Sequence, residues 1–414
     1  MWLFKPMGKR LEQAIAVEER DVPELVRGVP AGLELGLRNF WYPVIQSHEL
    51  GSDVPVAITC LGDELVLFRN ALGAPCVLFD RCPHRYVKLS SGRVMEGDLQ
   101  CALHGLRFNG QGDCTLVPWE PESTDTQRKR ACARSYPSAE IGGYVWAYFA
   151  GEGADALPPF PIETCVPEEL LHPESFVHFS LETEEWDANW LLIIDGGDAY
   201  HAVTLHMESQ HHDAVANYLD VDVAGDGNGT AGKKVIVPMA NRRVKIVETE
   251  GHGLRGISVD LEGNLLDHGH GLGVVHGERF NLPGLVSNVL QPVANAAPYV
   301  SRMFQVPIDY RRTRIFRFAA WRATAPEQRE HLKRHFESVV KPRQIKTAVE
   351  DKAIAAVSGD LVESRENEVL FGPDRDMLRV RRRMAAAFIA QRQRGRRVPE
   401  DETTPSRSSL VFPV

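Results

Sequence analysis

Two short pairs of residues carry the clearest chemistry in this sequence. Cys82 and His84 lie in RCPHRYVKL, Cys101 and His104 in LQCALHGLRFNGQGDC, and sixteen residues separate the pairs. Each pair offers one thiolate and one imidazole from a short loop. A two-iron, two-sulfur cluster uses such a set, with both cysteines on one iron and both histidines on the other. Replacing two thiolates by neutral imidazoles removes negative charge, so the reduced state is easier to reach and the cluster suits a lower-potential donor. A zinc site built from the same four residues is the competing reading. Zinc fingers usually present a cysteine pair and then a histidine pair, whereas the order here alternates. Gly105, directly after His104, suits a tight loop around a buried cluster.

A second set lies in NWLLIIDGGDAYHAVTLH, where Asp198, His201 and His206 follow the spacing Asp-x-x-His-x-x-x-x-His. Three helical residues turn about 300°, so Asp198 and His201 share a face; five turn about 500°, which leaves His206 about 140° from His201. Both histidines reach one metal only if the helix is distorted, for example by a π-type bulge. Two histidines and one carboxylate leave open positions on iron(II), where dioxygen and substrate can approach. The best candidate for the carboxylate is Asp351 in KTAVEDKAIAAVSGD, which reads as helical, with Ala348, Ile354 and Ala355 as a plausible buried face. Glu350 is adjacent but about 100° away around the helix, so the two do not both point at the metal. Lys346, four residues earlier, can pair with Glu350 on the surface.

Other motifs carry less. GDGNGTAGKK contains G-x-G-x-x-G at Gly227 to Gly232, but a strand follows where a phosphate cradle would open a helix; a hairpin loop is the better reading. His268, His270 and His276 either line a substrate pocket or sit in a solvated glycine-rich loop. His211 and His212 suit the surface or a pocket rim. Arg242 and Arg243 can hold a carboxylate bidentately, although such a pair is more often a solvated strand edge. Without a nucleotide motif, electrons must come from a separate reductase.

These groups need elements to hold them. Residues 1–38 carry helical patterning. Residues 39–150 change texture, with short β-branched and aromatic runs (VAITCLG, ELVLFRN, YVWAYFA) punctuated by Gly, Asp and Asn, as in a small all-β domain. Residues 151–161 read as a Gly/Pro linker. Residues 162–395 mix strands (KKVIVPM, RVKIVETE, RIFRFAAW) with helices over about Ala325–Val340 and about Asp374–Gln393. Residues 396–414 form a polar tail. The predicted fold is α+β: an all-β domain followed by a catalytic domain with a helix-covered antiparallel sheet.

Composition agrees with this. The 414 residues, 43% hydrophobic and 25% charged, can bury a sizeable core, and a net charge of −9 argues against a broad nucleic-acid-binding face. Seven cysteines at irregular spacings argue against a disulfide framework, and Cys60, Cys76, Cys114, Cys132 and Cys165 suit small apolar roles. The apolar run NWLLII is soon cut by Asp195, and the start MWLFKPMGKRLEQ lacks the apolar core of a secretory signal. The expectation is a cytoplasmic protein without a membrane segment.

The stretch Cys-x-His-Arg, spacer, Cys-x-x-His-Gly, flanked by FWYPVIQSHEL, PWEPES and GGYVWAYF, closely resembles the Rieske domain of ring-hydroxylating non-haem iron oxygenases. The PWEP segment and the ending DMLRVRRRMAAAF look most like the phthalate dioxygenase and aryl O-demethylase branch. The resemblance implies the oxygenase (alpha) component of a multicomponent enzyme. It would hold a [2Fe-2S] cluster on Cys82, His84, Cys101 and His104, and mononuclear Fe(II) on His201, His206 and Asp351. Its electrons would come from an NAD(P)H-dependent reductase, with or without a ferredoxin. It would use dioxygen to hydroxylate or oxidatively O-demethylate an aromatic substrate, such as an aromatic acid; cis-dihydroxylation of an apolar or heterocyclic ring is the alternative. The resemblance also implies that Asp198 joins His201 to the cluster histidine of a neighbouring chain, hence a homotrimer or a multiple of it. One departure stands out: where many relatives carry an Asn before the bridging aspartate, this chain has Ile193, Ile194, Asp195 and Gly196. A pure electron-transfer protein and a zinc hydrolase are the rivals from other classes.

Overall fold

The computed structural model describes residues 29–151, 159, 161–196, 201, 205–206, 222–224, 233–235, 243–249, 253–259, 273–291, 299–371 and 374–394, with backbone alone over 222–279. The expected helical segment at 1–38 falls largely outside these residues; its described end holds a single 3-10 turn at Leu33–Leu35. The tail at 396–414 and most of the segment at 151–161 also lie outside them.

The first half is built from short strands because its apolar residues come in runs of two to seven between turn residues. Strands β1 (Phe40–Gln46), β10 (Ser138–Ile141) and β11 (Tyr144–Phe149) make one sheet, ordered β1-β11-β10. A second sheet holds β2 (Val56–Cys60), β3 (Asp63–Arg69), β4 (Pro75–Phe79) and β9 (Ser135–Tyr136) in the order β2-β3-β4-β9. The third, β5 (Arg93–Met95), β6 (Asp98–Gln100), β7 (Arg107–Phe108) and β8 (Cys114–Leu116), is a small meander. All of these pairings are antiparallel.

The second half is dominated by one antiparallel sheet. Its order is β12 (Phe176–Ser180), β21 (Thr313–Arg322), β20 (Tyr299–Pro307), β19 (Leu285–Gln291), β18 (Gly273–Asn281), β17 (Gly253–Val259) and β16 (Arg243–Thr249), and β13 (Glu184–Trp186) also pairs with β21. A separate pair, β14 (Asp222–Ala224) with β15 (Lys233–Val235), runs antiparallel. The glycine-rich segment between them, read above as a hairpin loop, lies outside the described residues.

Strand β21 is buried at every position except Arg322. An antiparallel strand buried on both faces needs cover on both. On one face Phe316, Phe318 and Ala320 pack with β1 and β11 of the all-β half. On the other, Ile315, Ala319 and Trp321 meet helices. These are α1 (Trp190–Asp195), α2 (Pro326–His335) and α3 (Lys341–Val357); α4 (Leu361–Asn367) and α5 (Arg375–Arg394) follow. Pro326 opens α2, where its missing N–H costs nothing. A π-helical turn, Phe336–Val340, joins α2 to α3.

The two halves share one core. Trp146 meets Phe304 edge-on at 5.3 Å, Tyr144 shares a 2.7 Å hydrogen bond with Ser180, and the Leu61 and Gly62 N–H groups donate to the Pro307 and Ile308 carbonyls. This is the α+β arrangement expected from sequence. Among the described residues no helix is long and apolar enough to cross a membrane.

Candidate metal centres

The Cys82 and Cys101 loops close in the same way. The Cys82 N–H donates to the Val87 carbonyl, five residues on, and the Tyr86 N–H returns to the Cys82 carbonyl. Cys101 repeats both bonds with Leu106 and Gly105. This closure puts the fourth residue after each cysteine in the left-handed region: Gly105 at φ 77°, as its type invites, and Tyr86 at φ 62°. A tyrosine there carries backbone strain of about 1–2 kcal/mol. The Arg81 guanidinium covers its ring at 5.3 Å.

Both sulfurs are buried among Leu89, Leu99, Leu106 and Phe108, while both imidazoles project outward, their ring centroids 4.8 Å apart beside Trp119. Burial pushes the Cys82 thiol up to about 11, and Cys101 beside it adds to the push. Two adjacent thiols in an apolar pocket suit metal ions, which bind them as thiolates and supply the opposing charge. The residues therefore fit a two-iron, two-sulfur cluster with sulfur ligands inside and imidazoles at the tip. Cys60, Cys76 and Cys114 are buried in the apolar way expected, Cys165 is half-buried, and Cys132 is exposed.

His201, His206 and Asp351 come together in a second place. One ligand atom from each of His201, His206 and Asp351 lies within 4.8 Å of the others. Asp351 Oδ1 stands 3.0 Å from His206 Nε2 and 3.8 Å from His201 Nε2, and the rings meet at 78°. Two imidazoles and a carboxylate on one side of a point form the facial set that suits iron(II) with open positions. His206 is 2% exposed, whereas His201 and Asp351 are about a quarter exposed, so the site opens on their side.

The distortion expected between the histidines falls on residues 202–204, outside the described residues; the Leu205 N–H bonds the His201 carbonyl. Two other expectations need correcting. Ile354 does not flank Asp351 in the interior; it is 51% exposed, and the inward face of α3 is Gln344, Ala348, Asp351 and Ala355. Glu350 does not stay on the surface. Its Oε2 accepts from His206 Nδ1 at 2.8 Å, so the adjacent acids take opposite nitrogens of one imidazole. That contact holds the proton on Nδ1 and leaves Nε2 free to ligate.

Around this set, Arg317 of β21 is buried, pairs with Glu184 and donates to the Gln344 carbonyl at 3.3 Å; Trp186 donates to the same Glu184. Burial holds the Arg317 guanidinium below its ordinary value, while Glu184 and Asp351 oppose that shift. Asp198, His211, His212, His268, His270 and Arg242 lie outside the described residues, as do the side chains of His276 and Arg243.

Residues 40–137 match the family model of the Rieske [2Fe-2S] domain. The 3-chlorobenzoate-3,4-dioxygenase oxygenase subunit of Comamonas testosteroni is 36% identical over 49% of this chain and 45% of its own length. Chlorophyllide a oxygenase of Chlamydomonas reinhardtii is 38% identical over 44% of this chain and 26% of its own length. The chain thus spans less than half the length of these curated relatives. The oxygenase of carbazole 1,9a-dioxygenase, solved in a reduced complex with its ferredoxin, superposes with a TM-score of 0.66 at 21% identity, covering 92% of this chain and 95% of that one. Residues 40–137 are a Rieske [2Fe-2S] domain, and the chain that carries them shares the fold of the carbazole 1,9a-dioxygenase oxygenases.

Proposed function

We propose that this chain is the terminal oxygenase of a multicomponent Rieske oxygenase. It uses dioxygen and reductase-supplied electrons to hydroxylate or oxidatively O-demethylate an aromatic substrate, with aromatic acids the first class to try. The reading rests on one observation: His201, His206 and Asp351 converge on a point in a chain that also carries a Rieske domain. A pure electron-transfer protein has no use for that triad.

In this reading Cys82, His84, Cys101 and His104 hold the cluster, and His201, His206 and Asp351 hold Fe(II). When bound, the cluster supplies single electrons and the iron supplies the open coordination positions that oxygen chemistry needs. The protein's own part is positional. Glu350 keeps the His206 proton on Nδ1. The half-buried side formed by His201 and Asp351 admits substrate, while the opposite side, closed over His206, keeps water away.

Two apolar patches support a ring-shaped assembly. Tyr86, Leu103 and Trp119, each half exposed or more, surround the cluster histidines. Ile345, Val349 and Val357 line the outer face of α3, opposite Asp351. Joining one chain's first patch to the next chain's second is a heterologous contact, which closes into a ring when the rotation permits. A homotrimer, or a multiple of it, places each cluster beside a neighbour's iron, with Asp198 as the bridge. The electron donor is a separate reductase, directly or through a ferredoxin, as the ferredoxin complex of the carbazole enzyme illustrates.

The test is anaerobic preparation, iron and acid-labile sulfide analysis, then incubation with a surrogate reductase, labelled dioxygen, and a panel of aromatic acids and methoxy-aromatics. The expected result is about three irons and two sulfides per chain, with label in a product. A colourless, zinc-loaded, active protein overturns the reading.

A further inference from the structure

The acid that departs from the resembled pattern has a defined place. Asp195 ends α1, six residues before His201. Its buried carboxylate accepts from two guanidiniums of the C-terminal helices. Arg365 of α4 donates to Oδ2 through Nε at 3.3 Å and Nη2 at 3.1 Å, and Arg381 of α5 donates to Oδ1 through Nε at 2.9 Å. Arg381 also clasps the Glu368 carboxylate, through Nη2 at 2.8 Å and through Nη1. Asp195, Arg365 and Arg381 are all buried.

Two cations and two carboxylates balance in charge. Replacing such a buried set by apolar groups of similar volume is often neutral or stabilising, so stability alone does not account for it. What a forked guanidinium adds is fixed direction. The other side of α1 is held differently: Ile193 packs with Ala348 of α3, one turn before Asp351, and with Ile315 of β21. Helix α1, which ends six residues before His201, therefore sits between the helix that carries Asp351 and the guanidiniums of α4 and α5.

We propose that Asp195, clamped by Arg365 and Arg381, is a positioning residue for the mononuclear metal. It fixes where the chain enters the His201–His206 segment relative to Asp351. The C-terminal helices thereby belong to the metal site although they supply no ligand to it. The inference rests on the triad being a metal site.

The experiment uses the full chain with its cluster in place, stripped of mononuclear iron by chelation and titrated anaerobically with Fe(II). Cluster absorbance and thermal unfolding are followed in parallel. Asp195→Asn is expected to weaken Fe(II) binding by about tenfold, within the range for groups that support metal ligands, and to leave the cluster spectrum unchanged. Asp195→Asn with Arg365→Gln restores charge balance; it should regain thermal stability without regaining affinity. Arg365→Lys keeps the charge but loses the fork, and serves if Asp195→Asn does not fold; it should weaken Fe(II) in the same direction. Wild-type affinity in a folded Asp195→Asn, or in Arg365→Lys, overturns the inference. So does affinity that recovers together with stability in the double variant. A wild-type protein that takes up no Fe(II) refutes the metal-site reading itself, an outcome distinct from these.

Discussion

Glu350 offers the sharpest check on the proposed iron site, because the sequence placed it on the surface and the structure places it on a ligand. Its Oε2 lies 2.8 Å from His206 Nδ1, and His206 is 2% exposed, so water cannot replace a lost partner. A hydrogen bond to a charged group contributes about 1.5–3 kcal/mol, roughly tenfold to more than a hundredfold in an equilibrium constant. Glu350→Gln keeps an acceptor of the same shape and removes the charge, so it belongs near the low end: Fe(II) affinity about tenfold weaker. Glu350→Leu leaves Nδ1 without an acceptor and frees the ring to rotate, so it belongs near a hundredfold. The assay is anaerobic Fe(II) titration of protein stripped at the mononuclear site, with cluster absorbance as the internal control for folding. If the leucine variant binds Fe(II) within about twofold of wild type, the outer carboxylate does not orient the ligand and the reasoning fails.

Other outcomes follow from the same geometry. Asp198→Asn should keep both metal centres, by iron and sulfide analysis, and bring product formation close to background; undiminished turnover would show that no bridge at this position is needed. Val349→Glu on the outer face of α3 should shift sedimentation from rings toward single chains, and an unchanged profile would place the subunit contact elsewhere. Gly112 sits at φ 83°, and a Cβ there would come 2.0 Å from the Ala133 carbonyl oxygen. Gly112→Ala should therefore cost more than about 2 kcal/mol and appear as early thermal loss of cluster colour. His178 Nε2 donates to the Gly142 carbonyl at 3.1 Å, and burial lowers its pKa below 6.5. The unfolded chain then binds the extra proton first, so stability is full above about pH 6.5 and declines as pH falls toward the folded value. His178→Phe should flatten that part of the stability profile in thermal melts; an unchanged slope would remove His178 as its source.

The legible part of the molecule was the part where chemistry dictates spacing. Two thiolates and two imidazoles around a small cluster demand short loops, so Cys82, His84, Cys101 and His104 announced themselves, and Gly105 marked the turn of one loop. Nothing marked Tyr86 as the matching turn in the other, because a left-handed tyrosine is held by closure bonds and by Arg81, not by its own preference. Helical geometry correctly separated Glu350 from Asp351, but a wheel shows directions and not reach. Residues about 100° apart can still straddle one ring, and a glutamate is long enough to do so. Ile354 failed for the opposite reason: its position allowed burial, but that side of α3 leaves it 51% exposed. Asp195 was visible only as a departure, since its partners lie 170 and 186 residues further on. No local pattern encodes a contact of that range.

The seam between β1, β11 and the large sheet has a further consequence. Trp146 against Phe304 at 5.3 Å and Tyr144 against Phe316 at 5.8 Å tie the halves into one core, so the all-β half is not a pendulum on a tether. The separation of the Cys82–His104 loops from the His201, His206 and Asp351 triad inside one chain is set when the polypeptide condenses. Under the proposed function, any adjustment of the electron path then falls to the docking of another copy, and natural variation in catalytic rate should map to subunit contacts more than to hinges.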